Sequence, residues 1–396
     1  MTNEGAGKLR FRVAICHPRL GWGGSEKRVM WGIEALKNDY DITLITAGQF
    51  NLDDLNRYYG TSILRTDFRT RQVSMPFFLR KNATAAALRW SFYQRFCRRV
   101  ATEYDVLIST YGPCDFGVPA IHFVADFSWS PTIRKRLHPQ PPGIVYREHL
   151  LRRCYLSFAR VLSGASGRDV FSGEDVIVAV SDWVAKLMRE EYNVECQVIN
   201  SPVPGRFDAV PFEDKEPGFV CLGRIAPEKR VEESIAILKK VRRKGHKLHL
   251  HIIGAIENDS YGKRTKRLVK DNSEWVIHEG RLFEDDKIRM LTRHRFGIHA
   301  CKGDAFPGAV VEMVKAGCIT FVPNEGGQVD IVNHSALIYG DLQDAIDKIQ
   351  RVLKDDALQT ELQNHVAMQA DMFSNDRFVV EIKDVVQEFA RRYARQ

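Results

Sequence analysis

The chain has 396 residues, 44% of them apolar, and a formal net charge of +8. That apolar share supports real cores and excludes a disordered chain, and the length admits two or three domains. Eight cysteines, Cys16, Cys97, Cys114, Cys154, Cys196, Cys221, Cys301 and Cys318, include no C-x-x-C pair, so zinc and redox motifs have no support and a reducing compartment is expected.

Residues 1–7 are polar and Gly-rich and no apolar run reaches the length of a bilayer span, so neither a signal peptide nor a spanning helix is expected. A short apolar run over 9–16 reads as a buried strand. Gly21, Gly23 and Gly24 follow, with Ser25 as N-cap and Glu26 in the first turn of a helix carrying Val29, Met30, Ile33 and Leu36 at helical spacing. Residues 41–46 are the next strand, and strand, helix and strand in this order imply a parallel sheet. Between Arg65 and Arg99 stand nine cations and one acid, Asp67. Within that stretch, 83–100 reads as a helix with Leu88, Phe92 and Phe96 on one stripe, Trp90 and Tyr93 beside it, and Arg89, Arg95, Arg98 and Arg99 on a basic side. Such a helix suits either an anionic membrane surface or a core with a solvated face. A second basic segment, from Arg134 to Arg160, has seven cations against Glu148. Strands are expected at 105–110, 120–124 and 175–180, with a helix from about Asp182.

The Pro- and Gly-bearing stretch 200–205 is the clearest linker. Strand–helix alternation then restarts. Strands are expected at 219–222, 248–253, 275–277, 296–299, 319–322 and 337–339. Val231, Ile235, Leu238 and Val241 line a helix that Gly245 closes. Two alternating blocks suit two doubly wound α/β domains, whose ligands bind beyond the carboxyl ends of the strands, so the space between the domains is the expected site.

Two turns carry the chemistry. Residues 221–229 place Arg224 and Lys229 between a strand and a helix. Residues 303–312 place Asp304 and Glu312 around a helix start. Helix N-termini and paired cations suit a diphosphate, and carboxylates accept hydrogen bonds from sugar hydroxyls. Together they read as a nucleotide-sugar site. The Gly21–Ser25 loop is not a dinucleotide fingerprint, because Glu26 stands where G-x-G-x-x-G needs its last glycine.

With these turns and its Gly-rich opening, the chain resembles the retaining glycosyltransferases of family 4, of the two-Rossmann GT-B fold, from about Arg12 to Phe378. The resemblance implies an acceptor-side domain over 1–204, a donor-binding domain over 205–373 and a final helix, 374–396, packing back on the first domain across from which the second lies. It implies that Gly23 and Gly24 lie under the donor diphosphate, that Arg224 and Lys229 neutralise it, and that Gly223, Phe306, Gly308 and the amides of Ala309 and Val310 complete its cradle. Glu312 would take the ribose hydroxyls, and His278 and Gly280 would hold the nucleobase. His122, at a strand end, and Asp304 would meet the donor sugar. His17, Asp115 and Asp126 would lie on the acceptor side. The family usually has Glu where Asp304 stands and Gly where Pro307 stands, which leaves the sugar open.

The expected reaction is metal-independent, retaining hexosyl transfer from a nucleotide-diphosphate sugar, UDP-glucose first, to a glycan or lipid-linked acceptor. It needs no cofactor and no nucleic acid. The location is cytoplasmic, peripheral to an anionic membrane. The runner-up is a catalytically silent nucleotide-sugar-binding or scaffold protein of the same fold; a hydrolase or epimerase is the enzyme rival. Oligomeric state is left open.

Overall fold

The structure is a computed structural model and describes residues 10–80, 85–137, 150–164 and 167–393. The polar opening, residues 83–84 of the basic helix and 138–149 of the second basic segment lie outside the described residues. The chain divides into two compact units, one of Met1–Val180, Ala185–Ser201 and Phe378–Gln396, the other of Ser181–Val184 and Pro202–Arg377.

The first unit runs β1 (Arg12–Cys16), α1 (Gly24–Leu36), β2 (Asp41–Thr46), α2 (Leu52–Tyr59), β3 (Arg69–Gln72), α3 (Phe77–Arg80), α4 (Ala86–Val100), β4 (Val106–Ser109), β5 (Ile121–Val124), α5 (Pro131–Leu137), α6 (Leu150–Ser163), β6 (Val176–Ala179), α7 (Asp182–Tyr192) and β7 (Gln197–Val198). The second runs β8 (Glu216–Leu222), α8 (Val231–Arg243), β9 (Leu250–Ile253), α9 (Ser260–Lys270), β10 (Val276–Gly280), α10 (Glu284–Thr292), β11 (His294–Ile298), α11 (Gly308–Lys315), β12 (Ile319–Pro323), α12 (Gln328–Val332), β13 (Ile338–Tyr339), α13 (Leu342–Lys354) and α14 (Asp356–Met372), and α15 (Asn375–Tyr393) then returns to the first unit from Phe378 onward.

The sheet orders are β3-β2-β1-β4-β5-β6-β7 and β10-β9-β8-β11-β12-β13. Every pairing between named strands is parallel, as Val13 shows against Ile42 and Val106, and Phe219 against Leu250 and Phe296. Helices cover both faces of such sheets, so central strands are continuously apolar: Val13, Ala14, Ile15 and Cys16 are all buried. Strand order reverses between β1 and β4 and again between β8 and β11. Loops leaving the carboxyl ends at a reversal diverge and open a crevice within each sheet.

The edge strands β3 and β7 were not anticipated. β3 is Arg-Thr-Arg-Gln, mostly exposed, and an edge strand with a solvated face carries no apolar period. The N-cap of α1 is Gly23, extended at φ −155°, while the Ser25 hydroxyl donates to Glu26 Oε2 at 2.8 Å. In α4 the buried stripe is Tyr93, Cys97 and Val100 rather than Leu88, Phe92 and Phe96, which are partly buried. Aromatic bulk pointed to the wrong stripe because a thiol and a valine occupy the core positions. Phe378, Ile382, Val385, Val386, Phe389 and Ala390 of α15 join Ile33, Leu36 and Ile108 in the core of the first unit.

Candidate functional site

In the second unit, the turn after β8 begins with Gly223 at φ +140°. A Cβ on Gly254, which follows β9, would lie 1.9 Å from Gly223 O, so the two loops touch backbone to backbone. Arg230 takes the left-handed conformation, φ 49°, uncommon outside glycine, and turns the chain from the short helix Pro227–Lys229 into α8. Lys229 therefore leaves the turn toward the next loop, where its Nζ lies 2.5 Å from Asp304 Oδ2. Burial alone would lower the Lys229 pKa and raise that of Asp304. Each partner outweighs this for the other, so the lysine is held above its usual range and the carboxyl below. Both side chains keep a fifth to a quarter of their surface open. Arg224 is exposed and pairs with Glu228 on its own turn.

Asp304 is fixed by its neighbours. Its carboxylate accepts from the Phe306 amide. Its main chain bridges to Gly326, Gly327 N donates to Asp304 O at 2.8 Å, and Gly303 N donates to Glu325 O at 2.9 Å. A Cβ on Gly327 would lie 2.1 Å from Ala305 O, whose carbonyl also accepts from Ser181 Oγ at 2.7 Å. The loop 324–327 thus forms a floor under 303–306. Its Glu-Gly-Gly run, 325–327, is the sequence signal for that close approach. Beside the pair is His299, fully buried, its Nε2 without a hydrogen-bond partner. Burial first, then Lys229, pushes its pKa down to about 4.

α11 starts at Gly308, behind Pro307. Its first turn holds no acid, so Glu312 lies in the second turn and not the first as expected. Lys287 Nζ lies 2.6 Å from Glu312 Oε2, a partner the sequence pattern gave no reason to look for, because it comes from α10. Val310 N donates to Pro307 O at 2.9 Å, so that amide is committed; by helix geometry the amides of Gly308 and Ala309 have no partner inside α11. Phe306 is partly buried beside Phe373. His278 Nε2 contacts Gly254 O at 2.8 Å, and Gly280 adopts φ +72° where its carbonyl accepts from Gly254 N. The structure thus brings Gly223, Lys229, Asp304, Phe306 and the start of α11 to the β8/β11 reversal, with Gly254, His278 and Gly280 alongside.

In the first unit, Tyr59 organises the glycine loop. Its hydroxyl accepts from Gly23 N at 2.8 Å and lies 2.8 Å from Gly21 O and 3.0 Å from Gly23 O. A tyrosine that ends a helix 36 positions away left no local signal. A surface concavity of about 420 Å³ is lined by His17, Arg19, Gly21, Trp22, Glu26 and Tyr111. Burial first, then Arg28, pushes His17 down to about 3, so it is neutral, with Nδ1 3.0 Å from Thr110 Oγ1. Arg28 is itself buried. It donates to Ser201 Oγ and Thr110 O at 2.9 and 3.0 Å, and burial pushes it down to about 10.

His122 is in the middle of β5, not at its end, and is 0% exposed. Its Nε2 lies 3.0 Å from Asp175 Oδ1, Asp175 Oδ2 lies 2.9 Å from Arg168 Nη1, and Phe116 stacks on its ring. That arrangement has no open side through which a sugar could reach the imidazole, so the expected position at a strand end is corrected. Asp126 is the exposed residue beyond β5, accepting from Ser128 N and Oγ. Asp115 accepts from Gly117 N at 2.9 Å and stands 3.7 Å from Arg98.

Residues 206–370 match the sequence model of the family "Glycosyl transferases group 1". No curated protein sequence matches the chain. Among solved structures, the chain is similar to a sucrose-phosphate synthase from Thermosynechococcus elongatus (13% identity, 96% of this chain and 99% of that one, TM-score 0.68). It is also similar to Anabaena HepE in complex with UDP-glucose (12%, 96% and 100%, 0.65). A third is WaaG, a glycosyltransferase involved in lipopolysaccharide biosynthesis (14%, 94% and 99%, 0.63).

Proposed function

From a chain of GT-B fold whose residues 206–370 are a glycosyl transferases group 1 domain, we propose a retaining hexosyltransferase that takes a UDP-hexose donor, UDP-glucose first, and transfers the sugar to a glycan or lipid-linked acceptor. The observation that carries this reading is the Lys229–Asp304 pair at the β8/β11 reversal, in front of the start of α11. A diphosphate there takes the Lys229 ammonium and the Gly308 and Ala309 amides, and frees Asp304 to accept from sugar hydroxyls. Lys229 would then stabilise the charge that develops on the leaving diphosphate, a role that needs no Mn²⁺ or Mg²⁺. The HepE complex, which holds UDP-glucose, supports that donor class. Glu312 keeps Oε1 for a ribose hydroxyl while Oε2 faces Lys287.

The test is a thermal-shift panel of nucleotide sugars followed by NMR of the product. A donor at 100 times its dissociation constant adds roughly 2.7 kcal/mol, and the new bond should keep the donor's anomeric configuration without added divalent cation. An inverted product overturns the mechanism. Binding without turnover on any acceptor would favour the rival reading, a silent nucleotide-sugar-binding protein, to which the burial of His122 and the departures at Asp304 and Pro307 lend weight.

For the membrane, the supporting observations lie on two helices of the first unit. On α6, Leu156, Phe158 and Val161 are exposed, and on neighbouring α4 Arg95 and Arg99 are exposed. No helix among the described residues is long and apolar enough to cross a bilayer. Peripheral docking to anionic lipid predicts co-sedimentation with anionic liposomes at low salt, lost at high salt; none at low salt removes the claim.

A further inference from the structure

Three histidines of the second unit converge at the amino-terminal edge of its sheet, the end opposite the turns that carry Lys229 and Asp304. His249 precedes β9, His251 is inside it and His294 opens β11. Each offers a ring nitrogen, all three within 4.8 Å of one another. Glu216, the first residue of β8, stands beside His249 and His294.

The distances are those of ligands around one small cation. His249 Nε2 and His294 Nε2 are 3.2 Å apart. Glu216 Oε2 lies 3.4 Å from the first and 3.8 Å from the second. Two nitrogens each about 2.0–2.1 Å from a tetrahedral zinc stand about 3.3 Å from each other.

The sequence builds this meeting on purpose-shaped backbone. β8 runs between β9 and β11, and a side chain on its third residue would keep the two imidazoles apart. That residue is Gly218, and a Cβ there would lie 2.1 Å from His249 Nε2. The missing side chain lets the ring lie across the strand and reach His294.

The ring orientations are also fixed from outside the cluster. His294 Nδ1 lies 2.7 Å from Met290 O. A carbonyl can only accept, so Nδ1 carries the proton and Nε2 presents its lone pair inward. His251 Nδ1 lies 2.5 Å from Glu279 Oε1, the carboxylate–histidine arrangement that orients metal ligands. The other Glu216 oxygen, Oε1, is held by Arg293 at 2.6 Å. Arg293 and Arg242 are the cations near the cluster, against the carboxylates of Glu216 and Glu279. His249 and Glu216 keep about a third of their side-chain surface open, which is the path of entry.

We infer that His249, His251, His294 and Glu216 form a structural site for one divalent zinc ion, closed by three imidazoles and one carboxylate. Three imidazoles and an oxygen suit Zn²⁺ over Mg²⁺ or Ca²⁺, which prefer oxygen. The site ties β8, β9 and β11 together beneath the donor turns and takes no part in the transfer chemistry.

The experiment uses the full chain, stripped with chelator and titrated with Co²⁺ and then Zn²⁺. The result expected is one Co²⁺ per chain with tetrahedral visible absorption, displaced by Zn²⁺, and a melting temperature that rises on zinc binding. Glu279→Gln keeps the packing and all four ligands and should weaken binding about 10–100-fold. Gly218→Ala should weaken it by pushing the His249 ring aside. A second cluster, His299, Cys301 and Asp304, supplies the control, since cobalt bound there would show thiolate charge-transfer bands. Those bands, no saturable binding by wild type, or unchanged affinity in Glu279→Gln would each overturn the assignment.

Discussion

The His122–Asp175–Arg168 network of the first unit and the Lys229–Asp304 pair of the second use similar groups and leave very different amounts of charge for anything else. In the first, His122 and Asp175 are fully enclosed, Asp175 also accepts from Ala120 N at 2.8 Å, and an aromatic ring lies on the imidazole. In the second, each charge faces its partner on one side and solvent on the other. A closed network holds strands together, whereas a half-open pair can trade one partner for a ligand. Charge and histidine content are alike in sequence for both, so accessibility decides which one is chemistry.

That contrast can be broken at either end. The largest expected effect is on stability in the first unit. Asp175→Ala leaves Arg168 and His122 without their buried partner and should cost about 3–5 kcal/mol of unfolding free energy. Urea titration measures it, and a near-normal midpoint would mean the network is not structural. Lys229→Ala should do the reverse, lowering the urea midpoint far less than Asp175→Ala while turnover falls about a hundredfold or more, of order 3 kcal/mol in the barrier. A folded variant with normal kcat would remove the assignment of Lys229.

The next effect is in acid. His17 in the first unit and His299 in the second have folded pKa values of about 3 and about 4, below the ordinary value of about 6.5. The unfolded chain therefore takes up protons that the folded chain refuses. Stability is full above about pH 6.5 and declines as pH falls toward 4. Urea midpoints at pH 7 and pH 5 should show the loss, and His299→Gln should reduce it. Depressed carboxyls such as Asp304 lose their contribution only at lower pH, so this window belongs to the histidines. The smallest effect is at the glycine loop. Tyr59→Phe removes the hydroxyl that Gly23 N donates to and should cost about 0.5–1.5 kcal/mol, with proteolysis at the loop rising in parallel.

What could be read in the sequence follows the range of the forces involved. The central strands announced themselves because burial on both faces makes continuous apolar runs, as at Val13–Cys16. Edge strands such as β3 carry no such mark. The turns holding Lys229 and Asp304 were legible because Gly, Pro and charge cluster locally. Their mutual contact was not, nor was Lys287 against Glu312 or Tyr59 under the glycine loop. These meet across 75, 25 and 36 positions, and only the sheet order brings them together. Cysteine spacing carries no zinc motif, yet histidines from the starts of two strands, β9 and β11, converge with Glu216 of β8.

The tail of α15 sets an order of manufacture. The first unit's core includes Phe378, Ile382, Val385 and Phe389, so this unit, most of whose chain is made before the second unit, cannot complete its interior until α15 has been made. At about 5–20 residues per second, the stretch between Ser201 and Phe378 imposes a wait on the order of ten seconds or more. By the end of that wait the second unit has all its strands, β8 to β13, ahead of α15. The nascent first unit meanwhile presents an uncovered apolar side to chaperones, and a message truncated before the codon for Phe378 would yield a folded second unit attached to an unfinished first one.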